Sequence, residues 1–570
     1  MSKKANVIVM GGGPAGSIAA LTLQKLGHQV TVFEKDKFPR YRVGESFLPG
    51  TLSILHRLGL SDKIAEAEYV LKPSATFLWG KTEAPWTFSF STPKTEDWVF
   101  DHSIQVLRSD FDQMLLDTCR ERGVTVFEEA GVFDVDTEHK DHISVQVRHK
   151  GETSTFEADY LIDASGSNSP LVRKLDLREY DEFYKSVALW SYFKAPDPFQ
   201  NDLNGTTFSI TFEDGWIWMI PLKGGIYSVG CIVDQSKLPE IKAQGLDAFY
   251  DQTLAKSERA LGILNGVQRS EEVKLVRDWS YETKCFSRDR FFLCGDSACF
   301  TDPLFSQGVH LASQSAVSAA SSIDYLMNHP EQEAKVHGWY NRSYRETYNQ
   351  YHEFLASFYT FASFTEPESE FWTKRRISES ADERLKRKEW FEQLVNGEKQ
   401  NRPQIGDFKD RASTMIAIGR HQRQTLTDEF MDTELNPARV RWISDLTKQL
   451  NRITRFDWIG DQVATVDYFK IEPQSFKLQL KQILSNGTGK DMSKYSVNDA
   501  LVQLMHSLNE QGFGYKELMV RLNDVGEVNS SQFVIRLMEA GLLDGYDKEG
   551  NKVRVQDRLR FDGVGVEYEV

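Results

Sequence analysis

The sequence predicts an α/β chain in two parts, and three observations carry that prediction. The stretch Asn6–Glu34 reads as strand, glycine turn, helix and second strand. From Val187 to Val233, runs rich in β-branched and aromatic residues alternate with turn residues, the pattern of an antiparallel sheet. Past Glu366 the chain becomes helical in texture, charged and poor in glycine. Together these imply a Rossmann-like dinucleotide-binding domain over residues 1–365, carrying an antiparallel substrate sheet at about 187–233, and a mainly helical domain over 366–570.

The first stretch is the most informative. Val7 to Met10 is the short apolar run of a buried parallel strand. Gly11, Gly13 and Gly16 follow in Gly-x-Gly-x-x-Gly spacing, with Pro14 and Ala15 between them. In that spacing the first glycine permits a tight turn, the second lets backbone N–H groups approach a pyrophosphate, and the third lets helix and strand pack closely. The helix Ala15–Leu26 aims its N-terminal dipole at the phosphates. Glu34 closes the second strand, where an acid can bind a ribose hydroxyl. A glycine turn without a ligand would not need all these features to agree.

A chain of 570 residues is too long for one core, so two or more domains are expected. Hydrophobic residues at 40% and charged residues at 26% fit a soluble globular protein. The net charge of −15 argues against nucleic acid or an anionic membrane as the main partner. The five cysteines are odd in number and lack metal-like spacing, which points to reduced thiols in a cytoplasm and to no metal site. Lys3 and Lys4 before an apolar run could be taken for a secretory leader, but cleavage would remove the nucleotide turn. Its glycines and Pro14 also make a poor membrane span, so no anchor is expected.

The remaining elements follow in order. Pro39–Pro49 is a loop rich in polar and turn residues, and Leu52–Leu60 is helical. Lys72, just before Pro73, opens a strand region made of Ala75–Trp79 and Trp86–Ser91. Arg108 precedes an amphipathic helix, Phe111–Arg120, and Val124–Phe127 and Ser144–Arg148 read as strands. Phe156–Ile162 reads as one strand leading into a second glycine turn, Asp163-Ala-Ser-Gly166. Turns punctuate the substrate sheet at Pro196–Pro198, Asn204-Gly205, Asp214-Gly215 and Gly224-Gly225. Phe291–Cys294 leads into a third turn at Gly295-Asp296, and a long helix runs over His310–Met327. Three strand-to-glycine turns are thus expected to converge on one large cofactor.

Tyr351, Phe354, Phe358 and Phe361 share one helical face and read as a core stripe. Lys374, Arg375 and Arg376, with Arg384, Lys386, Arg387 and Lys388, form a basic island. It reads as a solvated helix face, with docking of an acidic carrier protein or of CoA phosphates as the alternative. Tyr515–Ala540 reads as two helices stopped by Gly541, and Tyr546–Val555 as a hairpin turning at Glu549-Gly550, which gives the chain a winged-helix-like end. The acidic charge disfavours DNA binding by that unit.

The three glycine turns resemble those of FAD-dependent oxygenases of the aromatic-hydroxylase type. That resemblance implies FAD, with its pyrophosphate at Gly11–Gly16, support from Asp163 and Gly166, and its ribityl chain at Gly295-Asp296. No second Gly-x-Gly-x-x-Gly unit offers a place for NAD(P)H, so a separate flavin reductase is expected to supply reduced FAD. Trp216 and Trp218 lie two apart on a strand, which by pattern alone means two core aromatics. However, Trp216-x-Trp218-x-Ile220-Pro221 resembles the signature of flavin-dependent halogenases, in which the tryptophans keep substrate away from the flavin. Lys72, in Lys72-Pro-Ser-Ala-Thr-Phe-Leu-Trp-Gly80, resembles the lysine those enzymes place between the flavin and substrate pockets. On its own it would read as a surface charge. The resemblance implies that it receives hypohalous acid made from reduced FAD, O2 and chloride or bromide. A haloamine at this site needs a neutral amine, which desolvation favours.

Tyr41–Ser46, Cys294–His310 and Gly563–Val570 resemble the branch of that family associated with forming a dichloroacetyl group in antibiotic biosynthesis. This closer resemblance places Ser306 and Tyr351 in the pocket and implies flavin contacts at Arg42, Ser46, Arg108, Pro303 and Gly308. It also implies a covalent bond from Asp278, in Val276-Arg-Asp-Trp-Ser280, to the flavin 8α-methyl. The substrate it suggests is an acyl thioester on a carrier protein or CoA, halogenated next to the carbonyl. That reaction demands a base and a donor to the carbonyl oxygen, for which Glu45 and Tyr351 are the candidates. The alternatives are halogenation of a pyrrole or phenol, a flavin hydroxylase, and a DNA-binding regulator that uses FAD as a sensor. The paired tryptophans and Lys72 favour a halogenase over the last two.

Overall fold

The computed structural model describes residues 3–80, 85–90, 100–194, 205–264, 267–375, 436–459, 464–485, 499–525, 530–539, 541–555, 560–561 and 566–567. One unit is built mainly from the chain up to Glu379 and a second from the C-terminal part. At the heart of the first lies a sheet ordered Ser287–Arg288, Phe291–Leu293, Tyr160–Asp163, Asn6–Met10, Gln29–Phe33 and Thr125–Phe127. Asn6–Met10 occupies the middle because Val7, Ile8, Val9 and Met10 are apolar on both faces and are buried. It pairs in parallel with Tyr160–Asp163 on one side and Gln29–Phe33 on the other. Met10 stands opposite Asp163, and Asp163 opposite Leu293, so the three strands that end in glycine turns are neighbours and stop at the same edge.

The helix Pro14–Leu26 begins with proline at its first turn and ends on Gly27, at φ 94. It packs against Arg108–Glu121 and Gly308–Asn328. The expected single strand Phe156–Ile162 is in fact two. Glu152–Ala158 pairs antiparallel with Ile143–His149 in a separate three-stranded sheet, while Tyr160–Asp163 joins the parallel sheet. Asp159 makes the break: its N–H donates to the Asn6 carbonyl, and its carboxylate accepts the Asn6 N–H at 2.7 Å. The chain changes sheets at that residue.

Among the described residues the substrate sheet has nine strands and reaches well beyond 187–233. Its order is Cys299–Phe300, Lys274–Thr283, Arg178–Lys194, Ile226–Asp234, Gly215–Leu222, Thr207–Phe212, Ser74–Leu78 and Trp86–Ser89, with Gln268–Arg269 pairing beside Arg178–Lys194. All its pairings are antiparallel except Thr207–Phe212 with Ser74–Leu78. The turn Pro196–Pro198 lies outside the described residues.

Gly215–Leu222 is central, and its two-residue alternation divides its side chains. Ile217 and Met219 join a core with Val229, Cys231 and, from the helix Leu246–Ala255, Phe249, Tyr250 and Leu254. Trp216, Trp218 and Ile220 take the opposite face. The register places Ser228 across from Ile220 and Gly230 across from Trp218, with Tyr192 and Trp190 beyond them. Gly230 is glycine because the Trp218 indole lies across it: a Cβ there would come within 2.1 Å of the ring.

In the long helix Glu333–Thr365, Tyr351 and Phe358 are buried, and Phe358 packs on Phe77, Trp79 and Phe305. The side chains of Phe354 and Phe361 lie outside the described residues. Arg375 corrects the reading of the basic island as a solvated face. It is buried, donates to the Phe371 and Lys185 carbonyls and to Ser186 Oγ, and pairs with Asp234 at 3.0 Å. Arg376, Arg384, Lys386, Arg387 and Lys388 lie outside the described residues.

In the second unit the helices Tyr515–Asp524 and Ser530–Glu539 are present, and Gly541, at φ 68, follows them. The hairpin pairs Leu543–Tyr546 with Lys552–Val553, and Asp547 Oδ1 holds its turn by accepting the N–H groups of Glu549 and Asn551. A third strand, Arg455–Trp458, joins it and was not read from the sequence. Phe456, Met505, Leu508, Phe513, Leu518, Phe533 and Leu537 form this unit's core. Among the described residues no helix is long and apolar enough to cross a membrane.

A Cβ on Gly16 would lie 1.8 Å from the Gly11 carbonyl oxygen, a backbone atom that cannot move without opening the turn. Gly16→Ala is therefore expected to cost about 1–3 kcal/mol and to weaken retention of the implied dinucleotide. Urea unfolding midpoints and cofactor content after gel filtration measure both effects.

Candidate active site

The glycine turns are packed on one another. A Cβ on Gly11, at φ 103, would lie 2.4 Å from the Ala164 carbonyl oxygen, so the first turn touches the second. A Cβ on Gly295 would lie 3.3 Å from the Ala15 Cβ and 3.2 Å from that of Ala312, so the third turn touches both flanking helices. Gly166, at φ 78, continues the second turn. Two of the acids brace these turns from within. Glu34 accepts the N–H groups of Gly12 at 2.7 Å and Asp36 at 2.8 Å. Asp163 accepts Ser165 N–H, Ser165 Oγ–H and Ser169 Oγ–H, and burial pushes its carboxyl up.

Asp296 differs: it is solvent-accessible, yet the surrounding protein still raises its pKa, as happens to a carboxylate in a cleft. Arg108 is buried, holds Asp112 through two bonds of 2.8 and 2.9 Å, and donates to the Val43 carbonyl. Arg42 is exposed and pairs with Asp36 at 3.3 Å, while Ser46 Oγ lies 3.0 Å from Thr207 Oγ1. Pro303 starts a short helical turn, and Gly308 starts the helix Gly308–Asn328. A glycine cradle, a helix N-terminus with no side-chain cap and no acid in its first turn, and an accessible carboxylate in the cleft fit a dinucleotide. Asp278 stands opposite Ser186 in the strand register, and its side chain lies outside the described residues.

Lys72 ends the strand Val70–Lys72, paired with Ser103, and is buried. Its Nζ donates to the Phe47 carbonyl at 3.2 Å and to Ser306 Oγ at 3.4 Å, with the Phe90 ring centroid 5.5 Å away. Ser306 is presented by a left-handed turn, at φ 58, after Pro303–Phe305. Burial is the cause that pulls the Lys72 amine down to about 7. At neutral pH a large fraction is the nucleophilic free amine, unlike a surface lysine.

Both signature tryptophans use their N–H groups. Trp218 donates to Ser228 Oγ at 3.3 Å, and Ser228 is hydrogen-bonded to Glu45. Glu45 also accepts the Tyr192 hydroxyl, and burial pushes its carboxyl up to about 7. Trp216 donates to the Tyr359 hydroxyl at 2.7 Å, which donates to Asp302 Oδ2 at 2.6 Å. Asp302 also accepts the Leu304 N–H, and burial raises its pKa. That chain ties Trp216 to the loop that presents Ser306.

Tyr351 is buried, and among the described residues its hydroxyl has no partner, which leaves a donor for a ligand. The site therefore joins Lys72 to Ser306, and Glu45 to Trp218 through Ser228, but no hydrogen bond joins Tyr351 to either group. The sequence reading missed Asp302, Tyr359, Tyr192, Ser228 and His310. His310 is buried against Gly50, its Nε2 has no partner among the described residues, and burial lowers its pKa to about 4. Asp302 and His310 lie inside a motif already singled out. Ser228 and Tyr192 are polar groups in apolar strands, which is a weak signal, and Tyr359 carries none. Among the described residues no cluster of His, Cys, Asp and Glu could hold a metal ion.

Burial of Lys72 also fixes a pH dependence. Its folded pKa is about 7, against an ordinary 10.5 in the unfolded chain. Below the lower value both states are protonated and the folded state bears the full desolvation cost. Between the two values the folded state binds fewer protons, so the cost shrinks as pH rises and vanishes above the higher one. Lys72→Met is expected to be more stable than the parent by a few kcal/mol near neutral pH, with the gap closing toward alkaline pH. Denaturant melts across that range read the gap, and a constant gap would count against a depressed amine.

A family described as "Tryptophan halogenase" matches residues 6–107 and 94–421, and one described as "Chloramphenicol halogenase CmlS C-terminal domain" matches residues 442–558. The solved flavin-dependent halogenase CmlS is 60% identical, with a TM-score of 0.82, over 99% of this chain and 100% of that one. The myxobacterial chondrochloren halogenase CndH is 33% identical, with a TM-score of 0.63, over 69% of this chain and 90% of its own. A tryptophan 2-halogenase of Chondromyces crocatus is 31% identical over 65% of this chain and 70% of its own length. With most of its length matched by the family and nearly all of it by a solved halogenase, the chain belongs to the flavin-dependent halogenases.

Proposed function

We propose that this halogenase acts on an acyl thioester held by a carrier protein or CoA, replacing hydrogen next to the carbonyl. Its likeness to CmlS, whose C-terminal family model is described as that of a chloramphenicol halogenase, motivates the substrate class. The observation that carries the chemistry is Lys72, buried with no counter-ion among the described residues and hydrogen-bonded to Ser306. The glycine cradle would hold FAD, and FAD reduced by a separate flavin reductase would supply hypohalous acid from O2 and chloride or bromide. The neutral Lys72 amine takes the halogen: its lone pair bonds to the halogen as the halogen–oxygen bond breaks, and the departing hydroxide takes a proton from nitrogen to leave water. The enolate carbon then takes the halogen as the nitrogen–halogen bond breaks, and nitrogen regains a proton. Ser306 holds the nitrogen in place during that step. Trp216 and Trp218 wall the flavin side from the substrate side.

Glu45 takes the substrate's α-proton, and the unpartnered Tyr351 hydroxyl donates to the thioester carbonyl, lowering the cost of the enolate. A pH near the Glu45 value leaves enough carboxylate to act as base. Asp278 would anchor the flavin through an ester at its 8α-methyl group, the C–H proton leaving to solvent and the two electrons passing through the flavin to O2. The reading puts the enzyme in the cytoplasm, where its free cysteines stay reduced.

Offered acetyl, malonyl and acetoacetyl thioesters beside tryptophan, a phenol and a pyrrolyl thioester, with FADH2 and chloride, the enzyme is expected to chlorinate the acyl set. Mass spectrometry reads the chlorine isotope pair, and chlorination of only the aromatic set would refute the acyl reading. In Lys72→Ala chlorinated product should fall by about a hundredfold or more while reduced flavin is still oxidised. Near-parental product from that variant would remove the lysine from the relay.

The flavin link has its own test. The intact mass of the purified protein should exceed the chain mass by one FAD, and acid precipitation should leave the flavin in the pellet. Asp278→Asn should release it. A parent protein that loses all flavin in acid has no ester at Asp278.

A further inference from the structure

A line of polar side chains leads from the Glu45 carboxyl to solvent. Tyr192 donates to Glu45 Oε1, and the Tyr41 ring meets the Tyr192 ring edge to face at 5.8 Å, with the Tyr192 hydroxyl near enough to pull the Tyr41 phenol down against the larger effect of burial. Exposure rises along the line, from 1% at Glu45 through 6% at Tyr192 to 36% at Tyr41. Tyr41 is held in place by its neighbours. It stacks on Trp190 with ring centroids 4.7 Å apart, and Lys274 Nζ lies 3.8 Å from its centroid while pairing with Glu271.

A buried carboxyl that takes a proton in each turnover must also lose it. The other groups around Glu45 offer no exit. Ser228 leads inward to Trp218, whose indole only donates, and Arg108 does not release its proton. Lys274 acts on Glu45 through its charge and sits at the outer end, beside Tyr41. Among the described groups, the Tyr192 branch alone can both accept and donate and also reaches solvent.

We propose that Glu45, Tyr192 and Tyr41 form a proton relay that returns Glu45 to its carboxylate and delivers the proton to water beside Lys274. The relay rests on the reading of Glu45 as the base. When Glu45 removes the α-proton, the C–H electron pair stays on the enolate. The protonated carboxyl then hands its proton to the Tyr192 oxygen as Tyr192 passes its own to Tyr41, and Tyr41 passes its own to water. No electrons change hands and each phenol ends as it began. Burial pushes both phenol pKa values above the ordinary range, so neither tyrosine carries charge alone and the hops are concerted. The two phenols therefore act by conducting protons and touch no substrate.

The test uses the full FAD-loaded chain, oxidised and without reductant. The infrared carbonyl stretch of protonated Glu45, assigned by its loss in Glu45→Gln, shifts when its proton exchanges for deuterium. After rapid mixing into D2O, exchange is expected to slow by at least about tenfold in Tyr192→Phe and in Tyr41→Phe. Exchange at the parental rate in both variants overturns the relay. Tyr41, at the surface, keeps the test open if Tyr192→Phe folds poorly. The base reading is checked separately, by washout of deuterium from a deuterated acetyl N-acetylcysteamine thioester into water. Washout lost in Glu45→Gln and slowed in the tyrosine variants supports the whole scheme. Washout that Glu45→Gln leaves intact removes Glu45 as base and overturns the proposal, whatever the infrared shows.

Discussion

Side chains along a strand point to opposite faces in turn, and in Gly215–Leu222 that alternation separates core from chemistry. Ile217 and Met219 bury into the cluster under the helix Leu246–Ala255, which anchors the strand. That anchoring commits Trp216 and Trp218 to the other face. Moving the register by one residue would send the tryptophans into the core and the aliphatics into the site. The glycine across from Trp218 completes the constraint, because any larger residue at 230 would push the indole off the sheet.

From that face two hydrogen-bond chains run outward. One links Trp218 through Ser228 to Glu45, and the other links Trp216 through Tyr359 to Asp302. The tryptophans are thus fixed points for two buried carboxyls. A single physical cause, removal from water, then acts on groups of both signs. It lowers the Lys72 amine to about 7 and raises the Glu45 carboxyl to about 7, so an acid and a base meet near neutrality. Buried groups of this kind cost stability, which is why they concentrate at functional sites. Here they sit where two sheets and the helix Glu333–Thr365 supply a large apolar core against which that cost is offset.

Arg375 shows the same logic in a structural role. By composition it belongs to a charged surface run. In the fold it is buried, with two carbonyls, Ser186 Oγ and Asp234 taking its donors, and its charge lies close enough to lower the pKa of Asp302 against the larger effect of burial. A guanidinium can be buried when its fork is so occupied. Asp159 is a second case: a polar residue inside an apparently continuous strand, whose two bonds to Asn6 switch the chain from one sheet to another.

The sequence by itself determined the order of the strands that end in glycine turns, the dinucleotide cradle, the paired tryptophans, Lys72 and the helices and hairpin near the C-terminus. These features are local: glycine spacing, strand period and helix stops are written within a few residues of where they act. The tertiary structure alone decided the reach of the substrate sheet, because Ser74–Leu78 joins it from about a hundred residues before and Lys274–Thr283 from about forty residues after. It alone decided that Lys72 is buried beside Ser306, where desolvation pulls an ordinary cation's pKa down to about 7. It alone brought Tyr192 and Ser228 to Glu45, and Tyr41 against Tyr192. Desolvation and long-range hydrogen bonds depend on what the folded chain stacks around a group, and no local pattern encodes that.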